Sequence, residues 1–113
     1  MVSIFVNPAQ FAPHEDLATY PRTLESDLRL LQNEMVEIPA EDERSIKRYP
    51  SAIFVPSVND IYPAGITQEV SEQRGTFVQV KGLEAEMEGK SRPGFFRGVA
   101  TVVLKLFNAV EVK

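Results

Sequence analysis

The chain has 113 residues, 43% hydrophobic and 25% charged, an ordinary globular composition with room for at most one domain. A net charge of −4 and a pI near 5.0 give no broad positive field for nucleic acid or an anionic membrane, and the absence of cysteine excludes disulfides and thiolate metal sites. The opening MVSIFVNP carries no basic leader, and no apolar run approaches the roughly 18 residues of a membrane-spanning helix, so a soluble, cytoplasmic protein is expected.

Val2–Val6 (VSIFV) is β-branched, aromatic and apolar throughout, the pattern of a strand buried on both faces of a parallel sheet, and Asn7-Pro8 closes it. NPAQFAPHEDLATYPR follows with three prolines among turn formers and reads as an ordered loop. Thr23 offers a helix N-cap, Glu25 and Asp27 suit the first turn, and Leu24, Leu28, Leu31 and Met35 share one helical face. Glu37 to Pro50 is dense in mixed charge, aperiodic and proline-punctuated, which predicts a solvated excursion; its mixed signs argue against a metal site. Ala52–Val55 resumes a strand ending at Pro56, NDIYPAG (Asn59–Gly65) is turn chemistry, and Thr76–Val80 alternates like a short strand. Behind SRPGFFRG, residues Val99, Val102, Val103, Leu106, Phe107 and Val110 mark a long helix whose β-branched face needs a sheet to pack on. Strands alternating with helices predict an α/β layered fold with a largely parallel sheet, its ligands beyond the carboxyl ends of the strands. The NPAQF loop leaves its strand there. Neither nucleotide-binding glycine fingerprint is present.

Several polar residues admit two readings. Asn7 and Gln10 sit on a proline-stiffened loop, where they either bind a polar ligand or satisfy loop backbone groups. Arg92 and Arg97 flank Pro93-Gly94 before the last helix and either cradle a carboxylate or phosphate or pair at the surface with Glu86 or Glu88. Glu88 either meets a ligand hydroxyl, or orients Arg92, or ends a helix facing water. His14, the single histidine, lies among turn residues and makes an unconvincing general base.

Two long motifs sharpen the picture. VSIFVNPAQF continuing through EDLATYPRT resembles VSIFVNPxQF…EDLxxYPRT of the pantothenate synthetases (pantoate–β-alanine ligases), and LEAEMEGKSRPGFFRGVATVVLKLFNAV is similar to their LEGxxRPxHFRGVxTVVxKLFNIV. IFVPSVNDIYPAG between them resembles VFAPSxxxMYPxG, so the resemblance spans nearly everything except about residues 36–51. It implies a fragment of a Rossmann-like, parallel-sheet nucleotidyltransferase-type domain. It also implies joining of pantoate to β-alanine with ATP and Mg, through a pantoyl-adenylate from which the amine displaces AMP, with catalysis mainly by positioning and charge stabilisation. Matched motif by motif, Gln10 would bind pantoate and face the β-alanine site, Asn7 and Tyr20 would lie in the same pocket, and Glu88 and Arg92 would stand at the substrate end. Val99, Val102 and Val103 would wall the pantoate pocket. A homodimer is the family's analogy.

The departures matter as much. The family's His-x-Gly-His segment, its Gly-Glu-Lys-Asp-type ATP segment and its Ser-Ser-Arg loop are not among these 113 residues, and Phe95 stands where many members have histidine. Residues 37–49 read as an inserted loop. The expectation is therefore a partial pantoate-binding and adenylation domain over 1–113, inactive by itself; the alternative is a non-catalytic pantoate-binding or regulatory remnant.

Overall fold

A computed structural model describes residues 1–41, 45–82, 92 and 94–110. The chain divides into two compact units, Met1–Phe5 with Pro21–Val55, and Val6–Tyr20 with Pro56–Lys113.

In the first unit, β1 (Val2–Ser3) runs parallel to β4 (Ile53–Phe54), with Val2 opposite Ile53 and Ser3 opposite Phe54. Val2 N donates to Ala52 O at 3.1 Å and Ile4 N to Phe54 O at 3.0 Å, so the ladder outlasts the assigned strand by a residue. The parallel pairing is as expected. The expected burial on both faces is not found, since Val2 is half-buried and Ser3 exposed; β4 is the ladder partner of β1 among the described residues. Between the strands lies α1 (Leu24–Gln32), with Glu25 and Asp27 in its first turn. Thr23 occupies the N-cap, but its hydroxyl donates to the Asp27 carboxylate at 3.1 Å instead of capping the backbone. Asn33 ends the helix, donating from its side chain to Arg29 O at 3.1 Å, which leaves Met35 outside the expected face. Leu28 and Leu31 are half-buried while Leu24 is exposed.

The charged excursion has regular structure. Val36–Pro39 (β2) and Ser45–Arg48 (β3) form an antiparallel hairpin with Ile38 opposite Ile46 and Glu37 opposite Lys47. Val36, Ile38 and Ile46 thus share one face, and an opposite-charge pair sits on the other, where the Ser45 hydroxyl also donates to Glu37. The strands are exposed throughout, as a solvated segment should be.

The second unit is built on α3 (Phe95–Val110). Its buried residues are Gly98, Thr101 and Val102, packed against a 3-10 turn at Pro8–Gln10. The expected apolar face is only partly the buried one, since Val103 and Phe107 are exposed. Small residues at Gly98 and Thr101 let the loop approach the helix, and the larger side chains fall to either side. A β-carbon at Gly98 would lie 2.5 Å from Ala9 O, so this close approach requires glycine. A four-residue helix, α2 (Val58–Ile61), starts on a capping box in which Ser57 Oγ accepts from Asp60 N at 3.2 Å and Asp60 Oδ2 accepts from Ser57 N at 2.8 Å.

Thr76–Val80 does not join a sheet. Val78 N donates instead to the Thr101 hydroxyl of α3 at 2.9 Å, and Phe77 lies parallel to the ring of Tyr62 at 6.5 Å between centroids. The alternation in this segment is that of an extended strap docked on a helix.

Candidate functional site

The centre of the second unit is the side-chain amide of Asn7, 4% exposed. It is bonded on both ends. Its Oδ1 accepts from Ala9 N at 3.3 Å, capping the 3-10 turn, and from the Tyr62 hydroxyl at 2.7 Å. Its Nδ2 donates to Gly98 O on α3 at 3.0 Å and to Gln10 Oε1 at 3.2 Å. One amide therefore joins the loop, the end of α2 and the first turn of α3. Gln10 is half-buried, and its own amide nitrogen has no hydrogen-bond partner among the described residues. Tyr62 is 2% exposed, and burial pushes its hydroxyl up to about 12 despite the bond to Asn7, so it is a donor at neutral pH. Lys105 closes this side, donating to Ile61 O at 2.9 Å with its ammonium 4.8 Å from the Tyr62 ring centre.

A second cluster surrounds Arg92, which precedes α3. Its guanidinium lies 4.4 Å from the Phe95 ring centre and 5.9 Å from that of Phe11, and its Nε meets Glu15 Oε1 at 2.8 Å. Glu15 Oε2 also accepts from Ala12 N at 2.6 Å. That backbone bond, then Arg92, holds the Glu15 carboxyl below its ordinary 4.5. Tyr20, largely exposed, sets its ring edge-on to Phe11 at 5.3 Å between centroids. Both clusters draw on the Val6–Tyr20 loop and the start of α3.

These loop and helix sequences were compared with known proteins. The family model described as pantoate-beta-alanine ligase matches residues 1–113, the whole chain. The chain belongs to the pantoate–β-alanine ligase family. It is 51% identical over 110 residues to the Saccharomyces cerevisiae pantoate–β-alanine ligase, a match covering 97% of this chain and 31% of that protein. Among solved structures, the Thermus thermophilus pantothenate synthetase superposes with a TM-score of 0.68 at 43% identity, over 97% of this chain and 33% of the other. The Francisella tularensis pantoate–β-alanine ligase, complexed with a β-γ ATP compound and β-alanine, gives 0.66 at 37% identity over 95% and 33%. The chain thus spans about a third of the length of these ligases, and its fold is a portion of their nucleotidyltransferase-type α/β domain.

Set against the residues expected from the ligase motifs, the structure brings Asn7 and Gln10 into direct contact and sets Tyr20 and Arg92 around Phe11. Val102 is buried, Val99 half-buried and Val103 exposed. Glu88 lies outside the described residues. For Asn7, the plain structural reading holds in part, since it does satisfy the backbone groups of Ala9 and Gly98. Arg92 pairs with Glu15, a partner the nearby sequence does not suggest. Arg97 is engaged elsewhere, hydrogen-bonded to Gln73 with its guanidinium 3.9 Å from the Phe77 ring centre. Tyr62, Glu15 and Gly98 escaped the sequence reading. Tyr62 and Gly98 do lie inside the family-like stretches YPAG and FFRGVAT, which is the one signal that could have singled them out.

Among the described residues no three His, Asp or Glu side chains converge on a metal position, and no helix is long and apolar enough to cross a membrane.

Proposed function

We propose that these residues form the pantoate-holding part of a ligase that condenses pantoate with β-alanine, using ATP, in the cytoplasm. The observation that carries this reading is the Asn7 hub, which fixes Gln10 of the family-like NPAQF loop against α3 with its amide nitrogen available to a ligand oxygen. In the reaction, the pantoate carboxylate is activated as an adenylate, and the β-alanine amine attacks its carbonyl carbon and displaces AMP.

The chain's own residues would bind and orient. Gln10 donates to an oxygen of pantoate. Arg92 stabilises anionic charge beside the site while Glu15 keeps its guanidinium oriented. Val99 and Val103 present apolar surface to the methyl groups of pantoate, with Val102 as the packed support behind them. The described residues do not fit a protein-held magnesium ion. A Mg²⁺ accompanying ATP would be held chiefly by phosphate oxygens and water. The family's histidine pair for ATP is likewise not in these residues, whose single histidine, His14, is exposed. The 113-residue chain therefore binds pantoate and does not by itself form pantothenate; a homodimer is the arrangement we expect for the complete enzyme.

The test is a two-dimensional amide NMR titration of the chain with pantoate, β-alanine and ATP in turn, beside an assay of ATP-dependent pantothenate formation. Shifts with pantoate around Gln10 and Arg92, without turnover, are expected. A spectrum indifferent to pantoate would sink the pantoate-holding reading, and turnover would sink the claim of inactivity.

A further inference from the structure

We propose that Tyr62 is a positioning residue that, acting through Asn7, sets the side-chain amide of Gln10 in one orientation, its NH2 turned toward the ligand. The role assigned to Gln10's ligand rests on the pantoate reading above; the relay itself does not.

The argument is one of hydrogen-bond polarity. An amide side chain can be rotated by half a turn with almost no change in shape, and its partners decide which end is oxygen. The Tyr62 hydroxyl is protonated and buried, and Asn7 receives it at 2.7 Å. Ala9 N, which can only donate, reaches the same Asn7 atom at 3.3 Å. That atom is therefore the Asn7 oxygen. The other end is then the nitrogen, which suits Gly98 O, an obligate acceptor, at 3.0 Å. Its second proton meets Gln10 at 3.2 Å, and so the Gln10 atom there is oxygen. The opposite orientation of Gln10 would set one NH2 against another. Two amides are thus polarised in series, and Gln10 is left with a donor end that selects an acceptor oxygen, such as a carboxylate, hydroxyl or carbonyl.

Ala9 N and Gly98 O set the polarity of this series, and Tyr62 is its tightest tie. Its bond to Asn7 is the shortest of the four, and its ring is held by Phe77 at 6.5 Å and Lys105 at 4.8 Å. Removing only the hydroxyl keeps that packing and takes away the donor, leaving the longer Ala9 and Gly98 bonds to hold Asn7.

The experiment compares the 113-residue chain with Tyr62→Phe and Gln10→Glu, using side-chain amide NMR and pantoate as the probe. In the parent chain, the two Nδ2 protons of Asn7 should be resolved and slow to exchange, and Gln10 Nε2 should shift on adding pantoate. In Tyr62→Phe the backbone spectrum should stay dispersed while the Asn7 protons lose protection and pantoate binds about tenfold more weakly. Gln10→Glu can still accept from Asn7 but turns a carboxylate toward the ligand, so it should lose pantoate with its fold intact. Unchanged Asn7 protection and affinity in Tyr62→Phe would overturn the relay, as would tight pantoate binding by Gln10→Glu. Failure of the parent chain to bind pantoate, with Asn7 protection still lost in Tyr62→Phe, would overturn the pantoate reading and leave the relay standing.

Discussion

At the scale of single residues, the buried polar contacts of the second unit set clear costs. Asn7→Ala strands the buried Tyr62 hydroxyl and removes the side-chain tie to the Gly98 carbonyl, and should lower stability by about 1–3 kcal/mol in denaturant unfolding. Gly98→Ala pushes a methyl into the Ala9 backbone and should cost about as much by overpacking. Titration adds two signatures. Glu15 has a depressed folded-state value, so its stabilisation is present above the ordinary 4.5 and fades as pH falls through the lower folded value. Thermal unfolding of Glu15→Gln should therefore show a flatter acid limb than the parent. Tyr62 is raised from 10.0 to about 12, so its contribution is complete below 10 and fades as pH climbs toward 12; Tyr62→Phe should flatten that alkaline loss. Asn7 and Gln10 drew notice in the sequence as amides on a proline-stiffened loop, which left a ligand role and a backbone-satisfying role both open, and Asn7 does satisfy backbone groups. Tyr62 drew no notice, because its meaning depends on a partner 55 positions away. For Arg92 the structure adds Glu15, a partner far back in the chain that its neighbours in sequence could not suggest, while Glu86 and Glu88 lie outside the described residues.

At the scale of elements, periodicity located both long helices but not everything they do. The heptad-like run of α3 is helical as read, yet its tightest contact uses Gly98 and Thr101, which a count of large apolar residues passes over. The hairpin Val36–Pro39 with Ser45–Arg48 was hidden because four-residue strands that mix isoleucine with charge have no length over which alternation can speak. Its register carries a prediction of its own: Glu37→Lys sets like charges across from Lys47 and should weaken the cross-strand Overhauser contacts of the hairpin. The strap at 76–80 shows the opposite error. Alternation there reports half-burial on some surface, and that surface is a helix. In α2, Ser57→Ala should cost about 1 kcal/mol by removing the cap of a helix too short to persist without one.

At the scale of the whole molecule, the balance of burial is the telling quantity. The apolar core among the described residues is Ala9, Phe11, Ala12, Ile61, Tyr62 and Val102, while α3 alone exposes Val103, Leu104 and Phe107. So much uncovered apolar surface on one helix favours association. Sedimentation of the 113-residue chain should show species that grow with concentration, and its unfolding midpoint should rise with concentration as well. A sharp midpoint independent of concentration would contradict this. The α/β class was legible from the order of strand and helix patterns, and the parallel β1–β4 pair agrees with it. The division into two compact units was not legible, because the loop at 6–20 belongs with residues far downstream.

The bond from Asn7 to Gly98 spans 91 positions of a 113-residue chain. Closing so long a loop is entropically costly and comes slowly. During synthesis the NPAQF segment must wait for the residues up to Gly98, 91 positions on from Asn7, to emerge before α3 can receive it. The amide cluster is therefore among the last features to mature in refolding, and a ribosome-bound chain stopped short of α3 has no means of holding Gln10 in place.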